Sequence, residues 1–255
     1  MANFDPSEAS SADIRAVARV GQICALFGPR VLELTAADIA ERTGLNRTTA
    51  YRYCTSMVAA GILDRGPRRG TFTLGGLMIE LGTLALGRQR IVEIASPYLR
   101  KLSAAVRMTA VLSVPGVQGP IVALVEEDTS RMVVVTVHAG TRLDASAAQT
   151  HLYLAYAGPA AMDAVAAGMP LAERARLEVD VSAARKQGFS LVRHGGGSFA
   201  VAAPIFDEKG FCATVALLAG DLGDLSPALE QLRATAAALS EEVGAPGEGP
   251  PRADV

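Results

Sequence analysis

Three cysteines in 255 residues, Cys24, Cys54 and Cys212, are odd in number and far apart, which favours neither a disulfide framework nor a zinc site. A reducing cytoplasm fits that usage, and Cys54, inside an apolar helical pattern, reads as a small hydrophobe. No stretch of about 18 apolar residues occurs, and no charged segment leads into an apolar one near Met1, so neither a membrane span nor export is expected. An excess of one charge is lacking too. With 24 Lys and Arg against 26 Asp and Glu the formal net charge is -2, so any nucleic-acid contact has to come from a local patch. Gly195-Gly196-Gly197 is not followed by Lys-Ser/Thr and reads as a strand connection rather than a phosphate cradle. His138 and His194 have no Cys, Asp or His at metal-ligand spacing, and there is no Gly-x-Ser-x-Gly elbow. No catalytic set, cofactor or metal is therefore expected.

What is present is a globular composition, 50% hydrophobic and 20% charged, on a chain long enough for two domains. Charge is segregated along it. Between Ser11 and Thr71 nine arginines face five carboxylates, and every basic residue there is Arg, so the rest of the chain is net acidic.

Apolar positions Ile14, Val17, Ala18, Ile23, Cys24 and Phe27 recur near the helical period and predict a first helix. Thr35 with Asp38 three residues on predicts a capped helix through Arg42; Asp in place of Glu or Gln leaves the reciprocal bond open. Thr43-Gly44-Leu45 is a tight turn, Asn46 caps a further helix and Gly61 closes it, which is a helix-turn-helix. Two short strand-like runs, Ile62–Arg65 and Thr71–Leu74, flank Gly66-Pro67-Arg68-Arg69-Gly70 and predict a hairpin with a basic tip. Helical runs follow at Leu77–Leu86 and Ile91 to about Val106. Beyond them come strand-like runs at Thr109–Val114, Ile121–Glu127, Met132–Val137, Phe189–Arg193, Phe199–Phe206 and Cys212–Ala219, with helical segments between and after. The expected fold is α+β: an N-terminal winged helix-turn-helix over residues 11–76, a linker helix over 77–90, a domain with a mostly antiparallel sheet over 91–243, and a disordered tail over 244–255.

The second helix of the helix-turn-helix carries the chemistry. Asn46, Arg47, Thr48, Thr49, Tyr51 and Arg52 bring guanidinium, hydroxyl and phenol groups to its first turns, the groups that reach base edges and phosphates in a major groove. Arg68 and Arg69 at the hairpin tip are candidates for the neighbouring groove or its phosphates. The alternative is that these cations form a solvated face, on a binding or catalytic protein whose helix-turn-helix serves protein contacts.

The stretch LTAADIAERTGLNRTTAYRYCTSMVAAGILDRGPRRGTFTLGGLMIELG resembles the winged-helix domain of the isocitrate-lyase-regulator (IclR) family of transcription factors. VHAGTRLDA and QGFSLVRHGGGSFAVAAPIFDEKGFCATVALLAG resemble that family's effector-binding domain, and the likeness covers roughly Ile14–Val243. It implies a GAF-like sensing domain, a double-stranded DNA operator, a small-molecule effector, a homodimer or dimer of dimers, and control of catabolic or transport genes as repressor or activator. Coupling between the domains is expected through the Leu77–Val106 helices. Val192, Ala200, Leu217 and Ala219 stand where the family's acid-binding members carry polar residues, and Asp144 to Leu154 replaces a usual PLHATALGKALL pattern. If those four line one cavity, the pocket is more apolar than is usual and suits a small aromatic or otherwise partly apolar metabolite. His151 and Tyr153 are the candidates for orienting such a ligand.

Overall fold

A computed structural model of the chain describes residues 14–87, 89–128, 137–220 and 225–244. The chain divides into two compact units, Met1–Arg88 and Gln89–Val255. Residues 245–255 of the tail expected at 244–255, and all but the last residue of the strand expected at Met132–Val137, lie outside the described residues.

The first unit runs α1 (Arg15–Cys24), β1 (Leu34–Thr35), α2 (Ala36–Thr43), α3 (Arg47–Ala59), β2 (Leu63–Arg65), β3 (Thr71–Leu74) and α4 (Gly76–Gly87). The capping box at Thr35 is complete. Its Oγ1 accepts from the Asp38 N–H at 3.1 Å while its own N–H donates to Asp38 Oδ2 at 2.8 Å, so the shorter carboxylate makes both bonds. Gly44, at φ 70°, ends α2 in the left-handed conformation, and Arg19 of α1 donates to Thr43 O at 3.3 Å, giving an end carbonyl a partner. At the far end of α3 the Gly61 N–H reaches Val58 O at 3.0 Å and the Ile62 N–H reaches Met57 O at 2.9 Å, a Schellman closure. Strands β1, β3 and β2 form an antiparallel sheet in that order. The two-residue β1 is too short to show a period and was not foreseen in the sequence pattern. Ile23, Ile39, Cys54, Met57, Leu63 and Phe72 make the core, each at most 2% exposed. Burying a side chain of this size contributes about 1.5–3 kcal/mol.

Among the described residues the second unit runs α5 (Arg90–Val106), β4 (Thr109–Val114), β5 (Ile121–Glu126), α6 (Ala148–Ala157), α7 (Pro159–Val165), α8 (Leu171–Gln187), β6 (Ser190–Arg193), β7 (Phe199–Asp207), β8 (Gly210–Ala219) and α9 (Ser226–Val243), with a 3-10 turn at Gly195–Gly197. The strands form one antiparallel sheet in the order β5-β4-β8-β7-β6. On one face Leu112, Val201, Ile205, Val215 and Leu217 pack on Leu99 and Leu102 of α5 and Leu232 and Leu239 of α9. On the other, Ala200, Ala202 and Ala216 pack on Ala148 and Leu152 of α6 and Ala184 of α8. A row of methyl groups lets α6 lie close to the sheet, and Ala148 through Ala155 are all buried.

Gly75 sits where β3 turns into α4, and a Cβ there would lie 2.3 Å from Gly61 O. A Cβ on the adjacent Gly76 meets nothing within 4 Å. Gly75→Ala should therefore destabilise the first unit by about 1–3 kcal/mol, while Gly76→Ala should be neutral or stabilise by up to about 1 kcal/mol. Amide hydrogen exchange of α3 in both variants checks this, and equal protection in the two would contradict it.

Candidate nucleic-acid interface and effector cavity

Asn46 caps α3 through its Oδ1, which accepts from the Thr49 N–H at 2.8 Å. From that start the helical period sends Ala50, Cys54 and Met57 into the core and leaves Arg47, Thr48, Tyr51, Arg52 and Ser56 exposed, with Thr49 half-buried. Among the described residues, the guanidinium groups of Arg47, Arg52 and Arg69 have no hydrogen bond or ion pair. Arg68 differs: it donates to Glu33 Oε2 at 2.8 Å, its side chain 75% exposed and that of Glu33 17% exposed. The Arg68 guanidinium holds the Glu33 carboxyl below its ordinary range, with help from Thr71. The two tip arginines are thus unequal, one paired and one free.

Sequence reasoning missed Arg65. It lies directly across from Phe72 in the β2–β3 register, with its guanidinium 5.0 Å from the Phe72 ring centroid and 5.8 Å from that of Tyr51. Tyr51 and Phe72 meet edge to face at 6.4 Å. The α3 phenol, the hairpin aromatic and the strand cation form one cluster, which fixes the hairpin root against α3. The signal available was a cation ending a strand opposite an aromatic.

In the second unit the six candidate effector residues do not share a cavity. Residues opposite each other in an antiparallel sheet point to the same face, and alternate residues point to opposite faces. Ala200 pairs with Leu218 and with Val192, so those three face α6. Leu217 and Ala219, one residue out of phase, lie in the core under α5 and α9. They line neither cavity described below, and Leu218 takes the place expected for them. Tyr153 is also corrected: its hydroxyl donates to Gly116 O at 3.3 Å and its ring packs near Phe211, centroids 6.4 Å apart. It lines neither of the two cavities described below and packs against α7, α8 and the start of β8.

Two adjoining spaces lie among the described residues of this unit. A cavity of about 230 Å³ is lined by Val137, the segment Thr141–Asp144, Ser146–Gln149, His194, Ala200 and Leu218. A larger, open cleft of about 760 Å³ runs between α8 and β6, includes His151 and Val192, and shares Ser146 and His194 with the smaller space. Thr141, Arg142, Asp144, Ser146, Gln149 and His194 contribute to the lining of the small cavity beside the apolar Val137, Leu143, Ala147, Ala148, Ala200 and Leu218. α6 begins there without a side-chain cap on Ala147. Among the described residues the backbone N–H groups of Ala148 and Gln149 have no partner. The Asp144 carboxylate is engaged by the Ser146 N–H at 2.9 Å and hydroxyl at 2.6 Å, and Arg142 donates to Gln118 Oε1 at 2.5 Å.

His151 is 6% exposed, with Nδ1 3.1 Å from Ser190 Oγ and Nε2 3.1 Å from Ala145 O. A carbonyl only accepts, so Nε2 carries the proton and Nδ1 accepts from Ser190. The ring ties β6 to the segment leading into α6. Among the described residues no group of three or more His, Cys, Asp or Glu could hold a metal ion.

An exposed cationic helix with a wing is the arrangement of a DNA-binding helix-turn-helix unit, here joined in one chain to a separate sheet unit that holds a cavity. The sequence profile of the IclR helix-turn-helix domain matches residues 16–67. The chain is 26% identical over 250 residues to the HTH-type transcriptional regulator XynR of Escherichia coli (strain K12), covering 91% of this chain and 98% of that one. Its fold is similar to the crystal structure of an IclR transcriptional regulator from Silicibacter sp. TM1040, with TM-score 0.81, 22% identity and 92% and 98% of the two chains covered. It is also similar to an IclR homolog from Microbacterium hydrocarbonoxydans complexed with 4-hydroxybenzoate, with TM-score 0.70, 24% identity and coverage of 89% and 98%. Residues 16–67 thus match the IclR helix-turn-helix domain, and along most of its length the chain is similar to transcription regulators of that kind.

Burial pushes the His151 imidazole below its ordinary 6.5, an effect that Asp180, the Ala145 bond and Asp144 partly offset. Between the folded and unfolded values only the unfolded chain takes up the proton, so stability is full above about pH 7 and falls as pH drops through about 6.5. Thermal melts from about pH 7.5 to 5.5 should show this loss in the native chain and a shallower one in His151→Gln; equal slopes would contradict it.

Proposed function

We propose that the protein binds an operator by laying the exposed face of α3 in the major groove, as a homodimer whose DNA affinity responds to a small carboxylate held in the second unit. The observation that carries this reading is the set of unpaired guanidinium groups beside hydroxyls on one solvent face of a capped helix. Arg47 and Arg52 have the reach and planarity for guanine O6 and N7. Thr48, Thr49, the Asn46 segment and Arg69 suit phosphates, with Tyr51 and Arg65 bracing the wing. Arg68 reaches a phosphate only by leaving Glu33.

The small cavity suits an effector no larger than a single ring. Its volume of about 230 Å³ lies below the roughly 300–1,000 Å³ of drug-sized pockets. Two free N–H groups at the start of α6, the positive end of its dipole and Arg142 favour a carboxylate, and Ala200 and Leu218 favour an apolar ring. The 4-hydroxybenzoate held by the Microbacterium protein has this composition.

Self-association is supported by α4. Among its residues Ile79, Leu81, Leu84 and Leu86 are 70%, 50%, 67% and 45% exposed, and no α4 residue is buried. An apolar helix left in water is a surface that a second copy would cover. No described helix is long and apolar enough to cross a membrane, and a cytoplasmic regulator of neighbouring catabolic or transport genes is the setting that fits.

Arg47→Ala with Arg52→Ala should abolish binding to the protein's upstream DNA in gel-shift titrations without altering the fold; retained affinity would refute the recognition-helix assignment. Arg69→Ala should flatten the dependence of log affinity on log salt by about 0.9, and Arg68→Ala by less, because Glu33 already holds that charge. Leu81→Glu with Leu84→Glu should convert the dimer to a monomer in sedimentation velocity, and an unchanged species would exclude α4 as the interface.

A further inference from the structure

We infer that Gln149 partitions the space beneath α6, closing the effector cavity against a polar compartment on the sheet and so setting the length of ligand admitted. This rests on the effector reading above. Gln149 lines the small cavity and is 4% exposed. Its amide nitrogen donates to Thr214 Oγ1 at 3.1 Å and lies 3.4 Å from Thr214 O and 3.5 Å from Val111 O. Thr214 does not line the cavity, whose wall on β8 is Leu218. Four residues of strand separate the two on the same face, about 13 Å. Between them lies Ala216, with Ala202 opposite it on β7, so these two strands offer only methyl groups there. Gln149 is the group that reaches across.

Beyond the amide the surroundings turn polar. Ser113 is directly opposite Thr214 in the β4–β8 register, is 1% exposed, and its Oγ has no hydrogen-bond partner. Buried hydroxyls are almost always paired, so Thr214 and Ser113 make a floor able to receive a hydroxyl or amide once Gln149 is shortened. As it stands, the chain takes a short ring acid. With Gln149 trimmed, the cavity gains room for about two water volumes, roughly 60 Å³, and takes an acid extended at its far end, preferring a polar terminus over a methyl one.

The test is isothermal titration of the full chain with benzoate, para-hydroxyethylbenzoate and para-propylbenzoate, and with the three matching benzamides. The native protein should bind benzoate about tenfold or more tighter than either extended acid. Gln149→Ala should gain about tenfold for the hydroxyethyl acid, with the propyl acid lagging, and adding Thr214→Val should reverse that order. Gln149→Leu, which fills the space without the amide, should keep the native length limit; if Gln149→Ala does not fold, Gln149→Ser carries the same test. A native protein that binds none of the acids, beside a Gln149→Ala protein that takes hydroxyethylbenzamide, sinks the carboxylate reading and supports the partition. A Gln149→Ala protein with the native length profile, whether both bind or neither does, overturns it.

Discussion

The first unit depends on one packing relation, the seating of Ala50, Cys54 and Met57 of α3 against Ile23, Ile39, Leu63 and Phe72. A helix with one buried stripe has its opposite face fixed in solvent, and here that face carries Arg47, Thr48, Tyr51 and Arg52. The core therefore does more than hold the unit together. It aims the cations, and the Asn46 cap and Gly61 closure fix where the aimed segment begins and ends. The wing is tied to the same core through Phe72, which lies under Arg65 and against Tyr51.

The second unit uses sheet geometry for a comparable separation of roles. One face is filled by large side chains against α5 and α9. The other is lined by alanines, and there α6 approaches closely enough for its N-terminus to wall a cavity. A ligand in that cavity changes operator affinity only to the extent that it binds two arrangements of the protein unequally. His151, pinned between Ser190 and Ala145, ties the segment before α6 to the strand β6.

Much of this was legible in the residues, and the gaps have physical causes. Helix period, the Thr35 and Asn46 caps and the turn glycines mark α2 and α3 because each signal is local. What was lost is non-local or depends on phase. Strands β7 and β8 are buried on both faces for most of their length, so they show no alternation of apolar and polar residues. Without alternation, Leu217 and Ala219 cannot be told from Leu218, and a shift of one residue moves a side chain through the sheet. The Arg68–Glu33 pair spans 35 residues, the Arg65 cluster needs the β2–β3 register, and Tyr153, inside the buried run Ala148 to Ala155 of α6, has no polar face beside it to orient it. Gln149 escaped notice because a glutamine in an apolar helix announces nothing until Thr214 is found beside it.

The most direct measurement of the central claim, that α3 reads base edges, replaces guanines of a selected binding site one at a time with 7-deazaguanine, which deletes the major-groove N7 acceptor. The account predicts that at least one replacement weakens the native protein by about fivefold or more, as expected for loss of an arginine–guanine contact, and that this loss disappears in Arg47→Ala or in Arg52→Ala. A native protein indifferent to every replacement, or a loss that persists undiminished in both variants, would contradict it.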